Sequence, residues 1–333
     1  MDWLKATGYR LLIGVMLVLI FTSALLWGQE SIPKICIVVG ASGEPEYGTM
    51  FEQWGSDWST AVDGMRYLAI GQGESNKTDQ PADLVSDRDR VKNWIDSVEL
   101  VEQAGTYWLI LMGHGTYDGK SAKFNLRGAD LSSQELGSWL SRSKHRWVIA
   151  VCSSSSGPFM SSLSAPGRVV ITATKSGAES NFSRFGGFLA QSIRDLNSDL
   201  DHDQTISVLE AFLSAARSTA RYFEEKKLLA TEHAMLDDNG DGKGTTVEFY
   251  RGIRPLKKSD NGIVDGELAR TIRLRDSKGS DSLDAESRTR VAALESEIES
   301  VRAKKHSMDE AEYYLELERL LIELARIFYP ASR

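Results

Sequence analysis

Two residues of this sequence have the chemistry of a nucleophile and its base, and each stands where an apolar run stops. LILMGHGTYDG carries His114 between Gly113 and Gly115, and WVIAVCSSSSG carries Cys152. A thiol of ordinary pKa, about 8.5, is only a few per cent thiolate at neutral pH, so it needs an imidazole to ionise it and then to protonate a leaving amine. Gly115, having no Cβ, lets the chain turn sharply and aim its amide at a reacting carbonyl; with the Cys152 amide it would form an oxyanion hole. The other cysteine, Cys36, lies inside an apolar run and reads as a small buried hydrophobe.

A second kind of chemistry is carried by oxygen ligands. DLDHDQTISVLE puts Asp199, Asp201, Asp203, Thr205, Ser207 and Glu210 at positions 1, 3, 5, 7, 9 and 12 of a calcium loop, with Ile206 at the apolar position 8. Gln204 stands at position 6, where glycine is expected. DDNGDGKGTTVE puts Asp237, Asn239, Asp241, Thr245 and Glu248 at positions 1, 3, 5, 9 and 12, with Gly242 at position 6 and Gly244 at position 8. The first stretch reads either as a calcium site or as a solvated helix start, the second either as a calcium site or as a tight turn without metal. His233 reads as a structural or capping residue, and His145 and His202 as exposed.

The elements that must position these residues form an α/β pattern. Ile35 to Val39, Tyr67 to Ile70, Tyr107 to Met112, Trp147 to Val151 and Val169 to Ala173 are apolar on both faces, as strands of a parallel sheet covered on both sides must be. Helical periods fill the gaps at about Tyr47 to Asp63, Ser86 to Gln103 and Ser132 to Arg142, the last with a capping box from Ser132 and Glu135. In such sheets ligands bind beyond the carboxyl ends of the strands, the edge where His114 and Cys152 emerge.

These features divide the chain into 1–30, a membrane-directing segment; 31–198, the sheet domain; 199–256, a helical EF-hand-like region with the acidic loops; 257–287, a polar linker; and 288–329, an antiparallel helical hairpin. The hairpin rests on apolar stripes at Val291, Leu294, Ile298 and Val301 and from Tyr314 to Ile327, with Ser307 and Glu310 as a capping box between them. It either docks on the body or pairs with a partner or another copy. At the amino terminus Lys5 and Arg10 precede the uncharged run Leu11 to Trp27, which reads as an uncleaved anchor or a signal peptide. Either sends the rest of the chain out of the cytoplasm. With 39 Lys and Arg against 47 Asp and Glu, a net charge of −8, the chain lacks the positive surplus that phosphate-backbone binding needs, so nucleic acid is not an expected partner.

The order of the motifs resembles the clan of cysteine peptidases that includes caspases and legumain. In that clan one hydrophobic strand ends in His-Gly, here LILMGHG, and a following one ends in Cys, here WVIAVC. The spacing of 38 from His114 to Cys152, GADLSSQEL after the histidine and VVITATKSGAES after the cysteine are closest to the legumain-like branch. The resemblance covers about Lys34 to Asp195. It implies a caspase-like αβα sandwich and peptide-bond hydrolysis through a thioester, with His114 as acid and base, Cys152 as nucleophile and a protein or peptide as substrate. A transamidase would use the same dyad, and a catalytically silent calcium-binding adaptor would keep the fold. Ser42 falls near the place of a supporting Asn in legumain-like chains. Glu46 and Glu179 are candidates for a pocket that takes a basic side chain, and each also reads as a solvated loop carboxylate. Ala150 stands where legumain-like enzymes carry an acidic residue, and Ala150-Val151-Cys152 where caspases carry Gln-Ala-Cys, so neither specificity carries over. No cofactor is expected for the catalysis; calcium is expected as a structural or regulatory ion.

Overall fold

Runs that are apolar on both faces can satisfy themselves only between two layers of helix, and five of them do so here. The structure is a computed structural model; it describes residues 32–72, 85–256 and 264–274 and, from 287 to 328, all but 288, 289, 292, 295, 296, 299, 302, 303 and 306. The expected membrane-directing segment lies outside the described residues, and among those residues no helix is long and apolar enough to cross a membrane.

Strands β1 (Ile35–Val39), β2 (Tyr67–Ile70), β3 (Thr106–Met112), β7 (Arg146–Cys152) and β8 (Arg168–Thr172) are parallel in the order β2-β1-β3-β7-β8. Three short strands, β4 (Gly115–Tyr117), β5 (Ala122–Phe124) and β6 (Leu131–Ser132), form a separate antiparallel sheet directly after His114. One face of the main sheet is covered by α1 (Pro45–Ala61), through Phe51, Trp54 and Trp58, and by α5 (Phe185–Ser192) and α6 (Val208–Glu225). The other is covered by α2 (Asp87–Glu99), α3 (Ser133–Leu140) and α4 (Phe159–Leu163), through Trp94, Leu136 and Phe159 among others. The architecture is therefore α/β, with a mostly parallel mixed sheet compatible with an αβα sandwich. From β1 the chain crosses one way to β2 and the other way to β3, so the crevice between the carboxyl ends of β1 and β3 is the topological switch point.

Local chemistry sets the helix starts. Ser132 accepts from the Glu135 amide at 3.2 Å while the Glu135 carboxylate accepts from the Ser132 amide, the expected capping box of α3. At α7 (Glu310–Phe328) the expectation fails: Asp309, not Ser307, accepts from the first-turn amides of Ala311 and Glu312, and the Ser307 hydroxyl donates to the Lys304 carbonyl.

Three further expectations are corrected. The boundary at 198 cuts through one sheet, because β9 (Met235–Asp237) pairs antiparallel with β8, and β10 (Thr245–Thr246) with β9. Within the expected linker, residues 264–274 form an arm packed on the main core through Ala269, Ile272 and Leu274. His145 is buried rather than exposed, its Nδ1 accepting from the Gly105 amide at 3.2 Å. Two short strands, β11 (Tyr250–Arg251) and β12 (Arg254–Pro255), pair with each other before the arm. Leu294 and Ile298 bury against Leu320 of α7 in a small cluster of their own.

Candidate functional site

His114 stands at the switch point, two residues beyond the end of β3. Its Nε2 lies 3.1 Å from the Ser42 carbonyl in the loop after β1. A carbonyl only accepts, so this bond places the proton on Nε2 and leaves Nδ1 as the basic nitrogen. Ser42 thus meets the imidazole through its backbone carbonyl. Aromatic rings pack the histidine edge-on: Tyr47 at 5.0 Å, Phe51 at 5.1 Å and Phe182 at 6.0 Å between centroids. Glu46 is exposed in the first turn of α1.

Strand register decides what faces this imidazole. Met112 pairs with Cys152 where the two strands end, and beyond that pair Gly115 meets Ser154. The Gly115 amide donates to the Ser154 hydroxyl at 3.2 Å, and that hydroxyl is 3.2 Å from the Gly115 carbonyl, to which it donates. The Gly115 amide expected to line an oxyanion hole is engaged by a serine. Ser153 is fully buried, its hydroxyl without a partner among the described residues and 2.7 Å from where a Cβ on Gly115 would stand.

Cys152 sits lower. On β7, Val148, Ala150 and Cys152 alternate onto the face under α1 and α5, and the thiol is part of that core with 1% of its surface exposed. A Cβ on Gly186, at the start of α5, would lie 2.7 Å from the Cys152 Cβ, so the helix backbone is pressed against this residue. Burial, reinforced by the Glu232 carboxylate, pushes the thiol pKa up and keeps it protonated. Cys152 therefore has the surroundings of a core cysteine rather than an activated thiol. Cys36 is equally buried on the opposite face of the sheet, and the two are free.

Two acids beside this edge are held by backbone amides. Glu232 is buried and accepts from the Ser183 hydroxyl at 2.7 Å, the Arg184 amide at 2.9 Å and the Phe185 amide at 3.2 Å, which caps α5. Glu179 is not the solvated loop carboxylate it reads as: its oxygens take the amides of Lys175 and His233 and lie 2.5 Å from His233 Nδ1. His233 is thereby held in a structural role.

The acidic loops share a pattern of side chains gripping their own backbone. Asp199 accepts from the Gln204 amide at 2.8 Å, Asp201 from Asp203 at 3.2 Å and Asp203 from Thr205 at 2.8 Å. Asp237 accepts from Gly242 at 2.8 Å, Asn239 from Asp241 at 2.8 Å and Asp241 from Lys243 at 2.8 Å. In the first loop, oxygens of Asp199, Asp201 and Asp203 lie within 4.8 Å of one another, a donor set that could hold a metal ion. Burial, and repulsion from Asp203 and Glu210, push the Asp201 carboxyl up to about 6. Ser207 and Glu210 form the capping box of α6, and Glu210 also takes the amides of Leu200 and Asp201. Glu248 is exposed, outside any described acid cluster.

The arm touches both loops. Arg273 reaches Asp203 at 2.6 Å and the Thr205 hydroxyl at 2.6 Å. At its other end Asp265 takes the Asp238 amide at 3.1 Å, and Asp238 takes the amides of Gly266 and Ala269 at 2.8 and 2.7 Å. Burial raises the Asp265 carboxyl to about 7 and pushes Asp238 up as well. Ser154, Glu232, Asp238, Asp265 and Arg273 were not singled out from the sequence. Only Ser154 carried a signal, as part of a serine run at a strand end.

No protein-family model matches this chain, and no curated protein matches it.

Proposed function

We propose that this chain is a catalytically silent, calcium-binding adaptor with a caspase-like and legumain-like sheet, exported or anchored with its body outside the cytoplasm. The observation that carries the silence is the pairing of Ser154 with Gly115: a hydroxyl engages the amide an oxyanion would need, while Cys152 lies in the core below, protonated. A second reading, the cysteine peptidase, keeps one support. The Ser42 carbonyl orients His114 as a general base would be oriented, and Cys152 would have to move out from under α5 to use it.

Calcium is proposed at the EF-hand-like loop of Asp199, Asp201 and Asp203, whose carboxylates repel one another without a cation. With Gln204 at position 6, the affinity expected is that of extracellular modules, about 10⁻⁴ to 10⁻³ M. The remaining segment, residues 288–329, is proposed as a helical hairpin that supplies the contact surface.

Thiol labelling tests the reading. Cys152 and Cys36 should both react slowly with a simple alkylator, with calcium or chelator, and no peptidyl electrophile should mark Cys152. Fast labelling of Cys152 that disappears in His114→Ala would establish the peptidase instead.

A further inference from the structure

Like charges directly opposite one another in a two-stranded ribbon are unfavourable, because their Cβ atoms stand only about 5 Å apart. The ribbon of β11 and β12 carries such a pair at its tip: Arg251 and Arg254 are cross-strand partners on either side of the turn Gly252-Ile253. A third arginine comes to the same place, Arg217 of α6 donating from Nη2 to the Gly252 carbonyl at 3.2 Å. Arg221, one turn further along α6, is exposed. Among the described residues no ion pair engages any of these four arginines, although the chain as a whole carries a net charge of −8. Side chains alternate across a ribbon, so Tyr250 and Pro255 share one face, while Arg251 and Arg254 share the other with Phe249 and Leu256. Burial agrees. Tyr250 belongs to the main core and its hydroxyl donates to the Asp265 carbonyl at 3.0 Å, whereas both arginines are exposed, Phe249 is 37% exposed and Leu256 65%. The Leu256 amide donates to the Phe249 carbonyl at 2.7 Å, which sets that apolar pair side by side behind the basic one. Nothing lies within 4 Å of where a Cβ on Gly252 would stand, so the tip is open.

We infer that this face lies on a lipid surface of net negative charge, its arginines meeting phosphate headgroups while Phe249 and Leu256 enter the boundary between headgroups and acyl chains. The inference rests on the anchored reading of the chain. Charge, composition and area select this occupant. A guanidinium matches phosphate through paired hydrogen bonds, and an anion at the tip relieves the repulsion between Arg251 and Arg254. A soluble anion would use the arginines alone and leave Phe249 and Leu256 in water. A stable protein complex takes about 20 to 30 residues from each side, and this face offers far fewer. A body tethered to a bilayer needs no such area, because the tether makes the second contact intramolecular. The tether is short: from Trp27, where the apolar run ends, to Ile32, the first described residue, the chain reaches at most about 18 Å.

The test uses the full chain with vesicles and places an environment-sensitive fluorophore on Leu256→Cys, the native thiols being buried. Sedimentation with the vesicles reads the anchor, and emission of the label reads the ribbon. In phosphatidylcholine mixed with phosphatidylglycerol the emission should shift to the blue, and in phosphatidylcholine alone it should not. Each arginine near a charged surface contributes about fivefold to binding, so Arg251→Gln with Arg254→Gln should lower the docked-to-free ratio of the ribbon about 25-fold. Sedimentation and melting temperature should not change in that double variant. A chain that sediments with both vesicles while the label stays in water overturns the inference and leaves the anchored reading standing; a chain that sediments with neither overturns both. A blue shift that is equal in the two lipids, or that survives the double substitution, overturns the part given to the arginines. A shift produced by inorganic phosphate without vesicles would assign the arginines to a soluble anion instead.

Discussion

The two acidic loops have nearly the same backbone and opposite needs. Position 4 is left-handed in each, His202 at φ 63° and Gly240 at 81°, and so is position 6, Gln204 at 68° and Gly242 at 73°. Aspartate and asparagine side chains grip the same amides in each. Yet the loop of Asp199 opens into helix α6, brings three carboxylates together and adopts left-handed φ with side chains that resist it. The loop of Asp237 places glycine at those positions, has Asn239 in place of the middle acid and closes the turn between β9 and β10, tied to the arm by Asp238 and Asp265. Strain and repulsion are built into the first loop; in the second, glycine and Asn239 relieve both. Loop shape is thus supplied by side-chain-to-backbone turns, and the two loops differ in charge.

The largest expected effect breaks the second loop. Asp238→Ala removes the acceptor of two buried amides, those of Gly266 and Ala269, and should cost about 3 kcal/mol. Denaturant unfolding should show the same loss in calcium and in chelator. A loss that calcium repairs would mean that this loop, too, is a cation site.

Next is the calcium response itself. At a free concentration a hundredfold above the dissociation constant, binding should add about 2.7 kcal/mol of stability, read as a rise in melting temperature. Asp201→Asn should remove most of that rise, while in chelator it should stabilise slightly, because the group pushed up by burial and by Asp203 no longer has to ionise. Asn239→Asp in the other loop should create no comparable response.

Acidity separates the loops again. Asp201, raised from 3.8 to about 6, and Asp265, raised from 3.8 to about 7, bind a proton more tightly in the folded state than in the unfolded one. Each therefore stabilises the fold fully below pH about 4, and that stabilisation is lost as pH rises through the folded value. In chelator, stability should fall from pH about 4 to about 7. With calcium the Asp201 fall between pH about 4 and about 6 should be offset, because the ion binds the ionised carboxylate, while the Asp265 fall should persist to pH about 7. Melting curves at each pH, with and without calcium, check this; two identical profiles would remove the first loop as a calcium site.

The same contrast between shape and chemistry governs what the sequence discloses. The five parallel strands are legible because each must be apolar on both faces, and α3 because Ser132 and Glu135 stand at capping spacing. Strands β9 and β10 are not, since two or three residues beside Asp237 carry no periodicity and pair only because β8 leaves an edge. The arm hides its buried Ala269, Ile272 and Leu274 among Asp265, Arg270 and Arg273. At the candidate site His114 is marked by its flanking glycines, and the inward Cys152 could be suspected from alternation with Val148 and Ala150. That Ser154 meets Gly115, the neighbour of the histidine, depends on strand register, which lateral packing fixes and a single strand's residues do not encode.

The smallest expected effect compares the loops at one position. Gln204→Gly should remove the left-handed penalty, about 1 kcal/mol, and so stabilise the calcium-free protein by that amount less the entropy glycine loses on folding. The first loop would then resemble the second, and its calcium affinity should rise because less strain opposes the bound shape. The converse substitution, Gly242→Gln, isolates the same penalty: a Cβ there meets nothing nearer than Ser161 at 3.8 Å, whereas one on Gly240 would strike the Pro166 nitrogen at 2.9 Å. Gly242→Gln should therefore destabilise by about 1 kcal/mol, independent of calcium. If Gln204→Gly instead weakens calcium binding, the glutamine side chain serves the loop in a way its backbone angle does not reveal, and the difference between the loops is not one of strain.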